Sequence, residues 1–435
     1  IMNTAYSVYP YTIEKLKELL GGRTSNIFKQ IENKLHFVYL EEYFRSLNAK
    51  TVIVEEEYVD KDFLEDYAAY YVRCFYDYNR KCRRLHFFSK TLLQGDFEAL
   101  LSGTGQAPHE ERLHNSYLGF IVLKPLPQTI IGRTCLKTYG NDNGRRHYCV
   151  TREFRANLFG LQFDVNTLPF QEQDSVVAAC ATSALWSAFH GSGFLFQHAI
   201  PSPVEITKMA TAQLPMETRS LPNSGLTAAQ MAGAIRMIGL EPFLVNTSDH
   251  YVLKSTLYAY LRGGIPTLLG IHLIDLSNAA GKPKNGEYFG SHAVAVTGFS
   301  LGRKKPKPYQ KNKKSTGLLL KASRIDKIYV HDDQVGPFAR MGLDQERLKY
   351  SIDDKAFCSE SIATSWVGKN NQIGSVGAVS ELMLIPLYHK IRIPFGTIHD
   401  HIVHLDAVIN ELSLIDVIQL TERPEWDIYL TSVND

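Results

Sequence analysis

The alternation of apolar and polar residues divides this chain of 435 residues into regions of different character. Up to about residue 165, a helical pattern (12–22) and a strand pattern (51–59) precede a long aromatic helix predicted over 63–81. Strand-like runs then dominate, at 83–88, 117–127, 147–154 and 157–165. Residues 1–165 therefore predict an N-terminal domain of mixed α/β structure.

From about residue 166 onward, helix start signals replace this pattern. Ser202 and Thr227 each precede a helical run and are followed three residues later by Glu205 and Gln230, which is the spacing of a capping box. A further helical run ends at Gly263. Strand patterns follow at 265–274, 291–300, 317–323, 326–332 and 379–387. Helices followed by an antiparallel sheet predict an α+β module over residues 166–385.

The remaining segment, residues 386–435, predicts a helical extension that packs back on the N-terminal region. It contains His399, His401 and His404, of which the last two can share a helix face and so permit a zinc site. No cysteine or second cluster accompanies them in the sequence, so the start of an ordinary helix is the favoured interpretation. We therefore predict no metal and no other cofactor.

Composition narrows the classes of function. Hydrophobic residues make up 44% of the chain and charged residues 21%, as in ordinary soluble proteins, and the net charge of +2 favours neither nucleic acid nor a membrane surface as a partner. No apolar run approaches the roughly 18 residues that cross a bilayer, and the N-terminus lacks the features of a secretory signal. The six cysteines are widely spaced, without a C-x-x-C pair, which predicts a cytoplasmic protein with reduced thiols.

Candidate chemistry begins at Cys180, in the run "CATSALWSAFH" (180–190), whose pattern is helical and is expected to end at "HGSG" (190–193). A thiol becomes a useful nucleophile where a helix N-terminus and a neighbouring imidazolium stabilise its thiolate. Ala184 and Ala188, one and two turns further on, give one face of this helix small side chains, so that it can pack closely on a sheet. A buried structural thiol is the alternative interpretation of Cys180 alone.

A base and an orienting carboxylate are expected on two strands. In "SHAVAVTGFS" (291–300), His292 shares a face with the valines, which are expected to pack against the helices and so turn His292 towards Cys180. In "KIYVHDDQVGPF" (327–338), alternation puts Asp332 on the apolar face and turns Asp333 and His331 away. Asp332 is therefore the predicted acceptor that holds the imidazole tautomer.

An oxyanion that develops during attack on a carbonyl needs a donor besides the backbone N–H of Cys180. Gln173 precedes Cys180 by seven positions and Gln171 by nine, so either side-chain amide is a candidate. We select Gln173 as the predicted donor.

The order Gln, Cys, His, Asp, with the cysteine on a helix and the other two on successive strands, resembles the papain-like cysteine peptidases. The similarity is greatest to bacteriocin-processing (double-glycine leader) peptidases and their stand-alone bacterial relatives. It rests on the sequence motifs "LRGGIPTLLGI" (261–271) and "HAVAVTG" (292–298) and on the strand ending in Asp332. The resemblance covers about residues 170–340 and implies a papain-like fold. It implies Cys180 as nucleophile, His292 as general base and acid, Asp332 as orienter and Gln173 as oxyanion donor.

The expected function is therefore a cysteine-dependent hydrolase that cleaves a peptide or protein through an acyl-enzyme. Three alternatives remain open: an acyltransferase of transglutaminase type, an isopeptidase acting on a modifier protein, and an inactive papain-like interaction module. The regions outside the module are expected to select the substrate and to hold the enzyme inactive until a regulatory protein binds. Gly21 and Gly22 resemble a double-glycine processing site, but the end of a helix explains them more simply.

Overall fold

The structure of the chain, a computed structural model, describes residues 5–21, 34–104, 107–174, 176–212, 221, 225–281, 283–306, 308, 317–391, 394–415 and 417–431. Over these ranges helices combine with antiparallel sheets, which confirms the predicted α+β class. No helix among these residues is both long and apolar enough to cross a membrane. Gly21 is the last residue of its helix, and Gly22 lies outside the described residues.

Ten α-helices are found in the described ranges. They are α1 (Ile13–Gly21), α2 (Leu35–Ser46), α3 (Lys61–Ala69), α4 (Gln94–Leu101), α5 (Ala107–Ser116), α6 (Cys180–Phe196), α7 (Pro203–Ala210), α8 (Ala228–Met237), α9 (His250–Arg262) and α10 (Phe395–Leu414). Two short 3-10 turns accompany them, at Tyr71–Arg73 and Lys321–Arg324. The predicted helix starts are confirmed: Thr227 and Gln230 bond each other reciprocally at the start of α8, and the Ser202 N–H donates to the Glu205 carboxylate (3.0 Å) at the start of α7.

The strands of the described residues form three sheets. They are β1 (Tyr6–Pro10), β2 (Thr51–Tyr58), β3 (Cys82–Phe88), β4 (Tyr117–Leu123), β5 (Ile131–Leu136), β6 (Arg146–His147), β7 (Arg152–Leu158), β8 (Leu161–Thr167), β9 (Glu241–Asn246), β10 (Thr267–Ala280), β11 (Lys284–Leu301), β12 (Ile325–Asp332), β13 (Gly336–Gly342), β14 (Leu348–Ile352), β15 (Lys355–Ser359), β16 (Ile362–Ala363) and β17 (Val376–Leu387). Strands β1 to β5 form an antiparallel sheet in sequence order, and β7 pairs with β8.

The largest sheet has ten strands and carries the candidate site. Its pairings run β10, β17, β16, β13, β12, β11 and return from β11 to β10, so six strands form a closed circuit. All of these six pairings are antiparallel. The remaining strands β6, β9, β14 and β15 extend the circuit at its margins.

The structure corrects the helix predicted over residues 63–81. Helix α3 ends at Ala69, a 3-10 turn follows, and Cys82 is the first residue of β3. The main chain leaves the helical conformation at Tyr70, whose φ and ψ are −132° and −59°. This change turns Tyr71 into the core between α3 and the N-terminal sheet, where it is 5% exposed. Consecutive aromatic residues have only modest helix propensity, so burial of Tyr71 decides the end of the helix.

Three strand predictions also change. The run 147–154 is divided between β6, which pairs with β11, and β7, which pairs with β8. The run 157–165 is a hairpin that turns at Phe159 and Gly160, both with positive φ. The run 317–323 forms only isolated bridges and a 3-10 turn, because Leu320 pairs with Trp426 rather than with a strand of the sheet.

Helix α6 is longer than predicted, and its packing reverses the expected faces of β11. It continues through the buried residues Gly191 and Gly193 to Phe196, and a side chain at Gly193 would crowd Ile200. Ala184 and Ala188 pack with Ala293 and Ala295 in one core. The valines of β11 belong instead to the larger core. The alanine face meets the helix because two small surfaces allow the closest approach.

The C-terminal segment packs on the central region rather than on the N-terminal region as predicted. The backbone N–H of Trp426 donates to the carbonyl of Leu319 (2.8 Å), and that of Leu430 donates to the carbonyl of Ala259 in α9 (2.9 Å). The Trp426 indole donates to Asp406 of α10 (2.9 Å). These bonds close the segment over α9 and the 3-10 turn after Leu320.

Candidate active site

Cys180 is the first residue of α6, and Ala179 is its N-cap in an extended conformation. No side chain of the described residues caps this helix start, so its first N–H groups remain available beside the sulfur. The thiol is partly exposed, while Ala181 and Ala184 below it are buried. A sulfur at this place lies at the positive end of the helix dipole and within reach of a substrate.

His292 lies in β11, where its backbone pairs with Ile271 of β10. Its side chain is buried, with a residue exposure of 6%, and lies near enough to Cys180 for the thiol to help raise the pKa of the imidazole. Nε2 of the ring donates to Oδ1 of Asp332 at 3.1 Å. Because Nε2 is used in this way, Nδ1 is the ring nitrogen that remains for the thiol.

Asp332 is the last residue of β12 and is completely buried. Besides the bond from His292, its carboxylate accepts the indole N–H of Trp366 (2.7 Å) and the backbone N–H of Gln334 (3.1 Å). The Trp366 ring meets the imidazole edge to face, with 5.0 Å between the centroids. Trp366 thus fixes the carboxylate and covers the ring.

Sequence reasoning missed Trp366. It stands in an irregular segment, so strand alternation does not place its side chain, and 34 positions separate it from Asp332. The available signal was general: a buried indole N–H needs an acceptor, and a buried carboxylate needs donors.

Asp333 also faces His292, against the prediction that it points away. Its Oδ1 lies 3.4 Å from Nε2 of His292, and its side chain is 3% exposed. Alternation fails here because β12 ends at Asp332 and a turn follows, closed by the bond from the Val335 N–H to the Asp332 carbonyl (3.0 Å). The imidazole therefore has two carboxylates on one side.

His331 does point away from the site, as predicted. Nε2 donates to the carbonyl of Leu168 (2.9 Å), and Nδ1 accepts the backbone N–H of Phe338 (3.1 Å). Burial lowers the pKa of His331 to about 3. Both ring nitrogens of this neutral histidine are engaged, so it is not a rival base.

The electrostatics of the site favour a charged imidazole. Burial lowers the pKa of His292, but the carboxylates of Asp332 and Asp333 outweigh burial and hold that pKa well above its usual value. Burial raises the pKa of Asp332, yet the His292 charge and the hydrogen bonds to the carboxylate bring it below its usual value. An imidazolium is the partner that stabilises a neighbouring thiolate.

Burial, with the nearby Asp332 charge, raises the pKa of Asp333 to about 6, although His292 opposes this rise. Asp333 therefore changes its charge within the pH range in which many enzymes work. Two carboxylates close together cannot both ionise easily, and here Asp333 ionises only after Asp332.

The two glutamines differ in their surroundings. Gln173 is half-buried, and its side chain makes no hydrogen bond within the described residues. Gln171 is 5% exposed, and its Nε2 is a buried donor without a partner in the same part of the chain. No hydrogen bond among the described residues joins either amide to Cys180. Buried donors are normally satisfied, so Gln171 has the greater need of an acceptor.

His292, Asp332 and Asp333 also have donor atoms within 4.8 Å of one another, the one such group in the described ranges. One imidazole nitrogen with two carboxylates is a donor set that can bind a divalent cation. A cation there would compete for the nitrogen that bonds Asp332. His401 and His404, the zinc alternative, are exposed on α10 and belong to no such group, while His399 bonds the Tyr251 hydroxyl (2.7 Å).

Comparison with known proteins adds no family to this geometry. No protein-family model matches the chain, and no curated protein sequence matches it. Evidence about function therefore comes from the contacts of Cys180, His292 and the residues around them.

Proposed function

We propose that the protein is a cysteine-dependent hydrolase with a papain-like catalytic module, acting on a peptide or protein. The observation that carries the proposal is the chain of contacts from Cys180, at the start of α6, to His292 and on to Asp332. The thiol neighbours the imidazole, and the imidazole is hydrogen-bonded to the carboxylate, which is the order of groups that activates a thiol. A helix on an antiparallel sheet carries them, as the papain-like resemblance implies.

In the proposed reaction, the Cys180 thiolate attacks the carbonyl carbon of the scissile amide and a C–S bond forms. The carbonyl π electrons move to oxygen, and the backbone N–H of Cys180 stabilises the oxyanion together with one glutamine amide. The imidazolium of His292 gives its proton to the departing nitrogen as the C–N bond breaks, which leaves a thioester.

The second half uses the same groups in the opposite sense. Neutral His292 takes a proton from water while the water oxygen attacks the thioester carbon. The C–S bond then breaks, the carboxylic acid leaves, and the proton on His292 restores the thiolate–imidazolium pair. Asp332 keeps Nε2 protonated throughout, so that Nδ1 always faces the sulfur.

Competitive alkylation tests the proposal with a control inside the chain. Cys358 is exposed and Cys180 only partly exposed, so accessibility alone makes Cys358 the faster thiol. With limiting iodoacetamide near neutral pH, we expect Cys180 to react first by mass spectrometry, and His292→Ala to abolish this preference. Faster reaction of Cys358 in the wild-type chain would contradict activation of Cys180.

Assays of substrate turnover distinguish hydrolysis of a peptide bond from the related reactions. We expect cleavage within a peptide library that is lost in Cys180→Ala and unaffected by EDTA. An added primary amine that becomes joined to the product would instead indicate acyl transfer, and cleavage confined to tagged ubiquitin-like proteins would indicate an isopeptidase. Cleavage that persists in Cys180→Ala and stops when EDTA is added would instead indicate a metal-dependent reaction, with the cation bound by His292, Asp332 and Asp333.

A further inference from the structure

The segment before Cys180 is organised by one buried carboxylate. Oδ1 of Asp174 accepts the backbone N–H groups of Val176 (2.8 Å) and Val177 (3.3 Å). The backbone N–H of Asp174 donates to the carbonyl of Ala178 (2.8 Å), which precedes the N-cap of α6. Asp174 therefore fixes the path by which the main chain reaches Cys180, including the direction of the Cys180 N–H.

Asp174 is held in turn from the N-terminal region. The hydroxyl of Tyr71 donates to its Oδ2, and Nζ of Lys124 lies 4.0 Å from the same oxygen. Asp174 and Lys124 are both nearly completely buried. Tyr71 reaches Asp174 because α3 ends at Ala69 and the main chain then turns the Tyr71 side chain into the core.

A second link reaches the other half of the pair. Nε2 of His36, on α2, bonds to the backbone carbonyl of Asp333 at 2.8 Å. His36 is 4% exposed, and burial lowers its pKa, so the neutral ring serves as a donor. This bond holds the turn after β12 that presents Asp332 and Asp333 to His292.

We propose that the N-terminal region positions both halves of the catalytic pair: Tyr71 acts through Asp174 on Cys180, and His36 acts through the Asp333 main chain on His292. This inference rests on the proposed function. Tyr71, Asp174 and His36 are positioning residues, since none of them contacts Cys180 or His292 among the described contacts. Such positioning gives the N-terminal region a role in assembling the site, in addition to the selection of substrate that is expected from the sequence.

Point variants test the idea in the full chain. Tyr71→Phe keeps the ring and removes only the hydroxyl that bonds Asp174. We expect the rate of Cys180 alkylation by iodoacetamide to fall about tenfold, because small displacements of reacting groups have large effects on rate. Tyr117→Phe is the matched control: its buried hydroxyl bonds Nδ1 of His86 (2.9 Å) within the same N-terminal core. It should destabilise the fold similarly and leave alkylation unchanged.

His36 allows a test by rescue. His36→Leu removes the donor, whereas His36→Gln places an amide N–H near the position of Nε2. We expect the rate of Cys180 alkylation to depend less on pH in the leucine variant than in the wild-type protein. The glutamine variant should restore the wild-type dependence on pH. A purely structural role would lower the unfolding midpoint of both variants without changing the pH profile.

The two proposals fail in different ways. If wild-type Cys180 is no more reactive than Cys358, the hydrolase proposal fails. If wild-type Cys180 is reactive but Tyr71→Phe alkylates as fast as Tyr117→Phe, and His36→Leu keeps the wild-type pH profile, only the positioning role is overturned.

Discussion

Two consecutive aspartates at the end of β12 face one imidazole, and their environments separate them. Asp332 receives hydrogen bonds from His292, Trp366 and the Gln334 backbone, which stabilise its charge. Asp333 keeps one carboxylate oxygen, Oδ1, without a hydrogen bond in the described part of the chain. The same residue type thus acts as a permanent anion at one position and as a titrating group at the next.

This difference predicts a pH dependence of stability. Because the pKa of Asp333 rises from 3.8 to about 6 on folding, its stabilising contribution is present below about pH 4 and is lost as pH rises through 6. Relative to wild type, Asp333→Asn should therefore gain about 3 kcal/mol in free energy of unfolding between these pH values. Urea unfolding of both proteins across this range measures the difference, and parallel curves would contradict it.

At the scale of elements, the contact between α6 and β11 sets the distance from Cys180 to His292. Ala184 and Ala188 on the helix meet Ala293 and Ala295 on the strand. Small residues on both surfaces bring the helix axis close to the sheet, and the start of the helix places the sulfur near His292 in the middle of β11.

Overpacking this contact should separate the pair. Ala188→Leu adds volume at a completely buried position, so we expect a loss of about 1–3 kcal/mol in unfolding free energy and slower alkylation of Cys180. Ala259→Leu makes the same change at a completely buried position of α9, in the larger core. It should lose stability without slowing alkylation. Equal alkylation rates in the two variants would show that the α6–β11 contact does not govern the site.

At the scale of the whole molecule, cores and hydrogen bonds join all three regions predicted from sequence. The larger core includes residues of α1 and α2, of the ten-stranded sheet, and Phe395 of α10. Within the C-terminal segment, the buried carboxylate of Asp406 on α10 accepts from Trp426 and from Arg423 (3.1 Å), and so joins residues 417–431 to this helix.

Removing this carboxylate should loosen the segment without affecting the site. Asp406→Ala leaves the Trp426 indole without its acceptor, at a cost of about 1–3 kcal/mol. We expect faster proteolysis within residues 417–431 and unchanged alkylation of Cys180. Asp400→Ala is the control, since Asp400 lies on the same helix with its side chain 70% exposed. Slower alkylation in Asp406→Ala would show that the segment also supports the catalytic pair.

The sequence by itself determined the features that depend on neighbouring residues. The capping boxes at Ser202 and Thr227, the strands that carry His292 and Asp332, and the helix beginning at Cys180 follow from local hydrogen bonding and from periodicity. These local rules hold because a capping box is made by groups three residues apart, and because the period of side chains along a helix or strand follows from the backbone conformation alone.

Only the tertiary structure decided which groups surround the imidazole and which face of β11 meets α6. Asp333 turns inward after a strand has ended, Trp366 arrives from an irregular segment, and Tyr71 ends a helix that composition would have continued. Each depends on burial against residues far away in the chain, and the free energy of such contacts is absent from any local pattern.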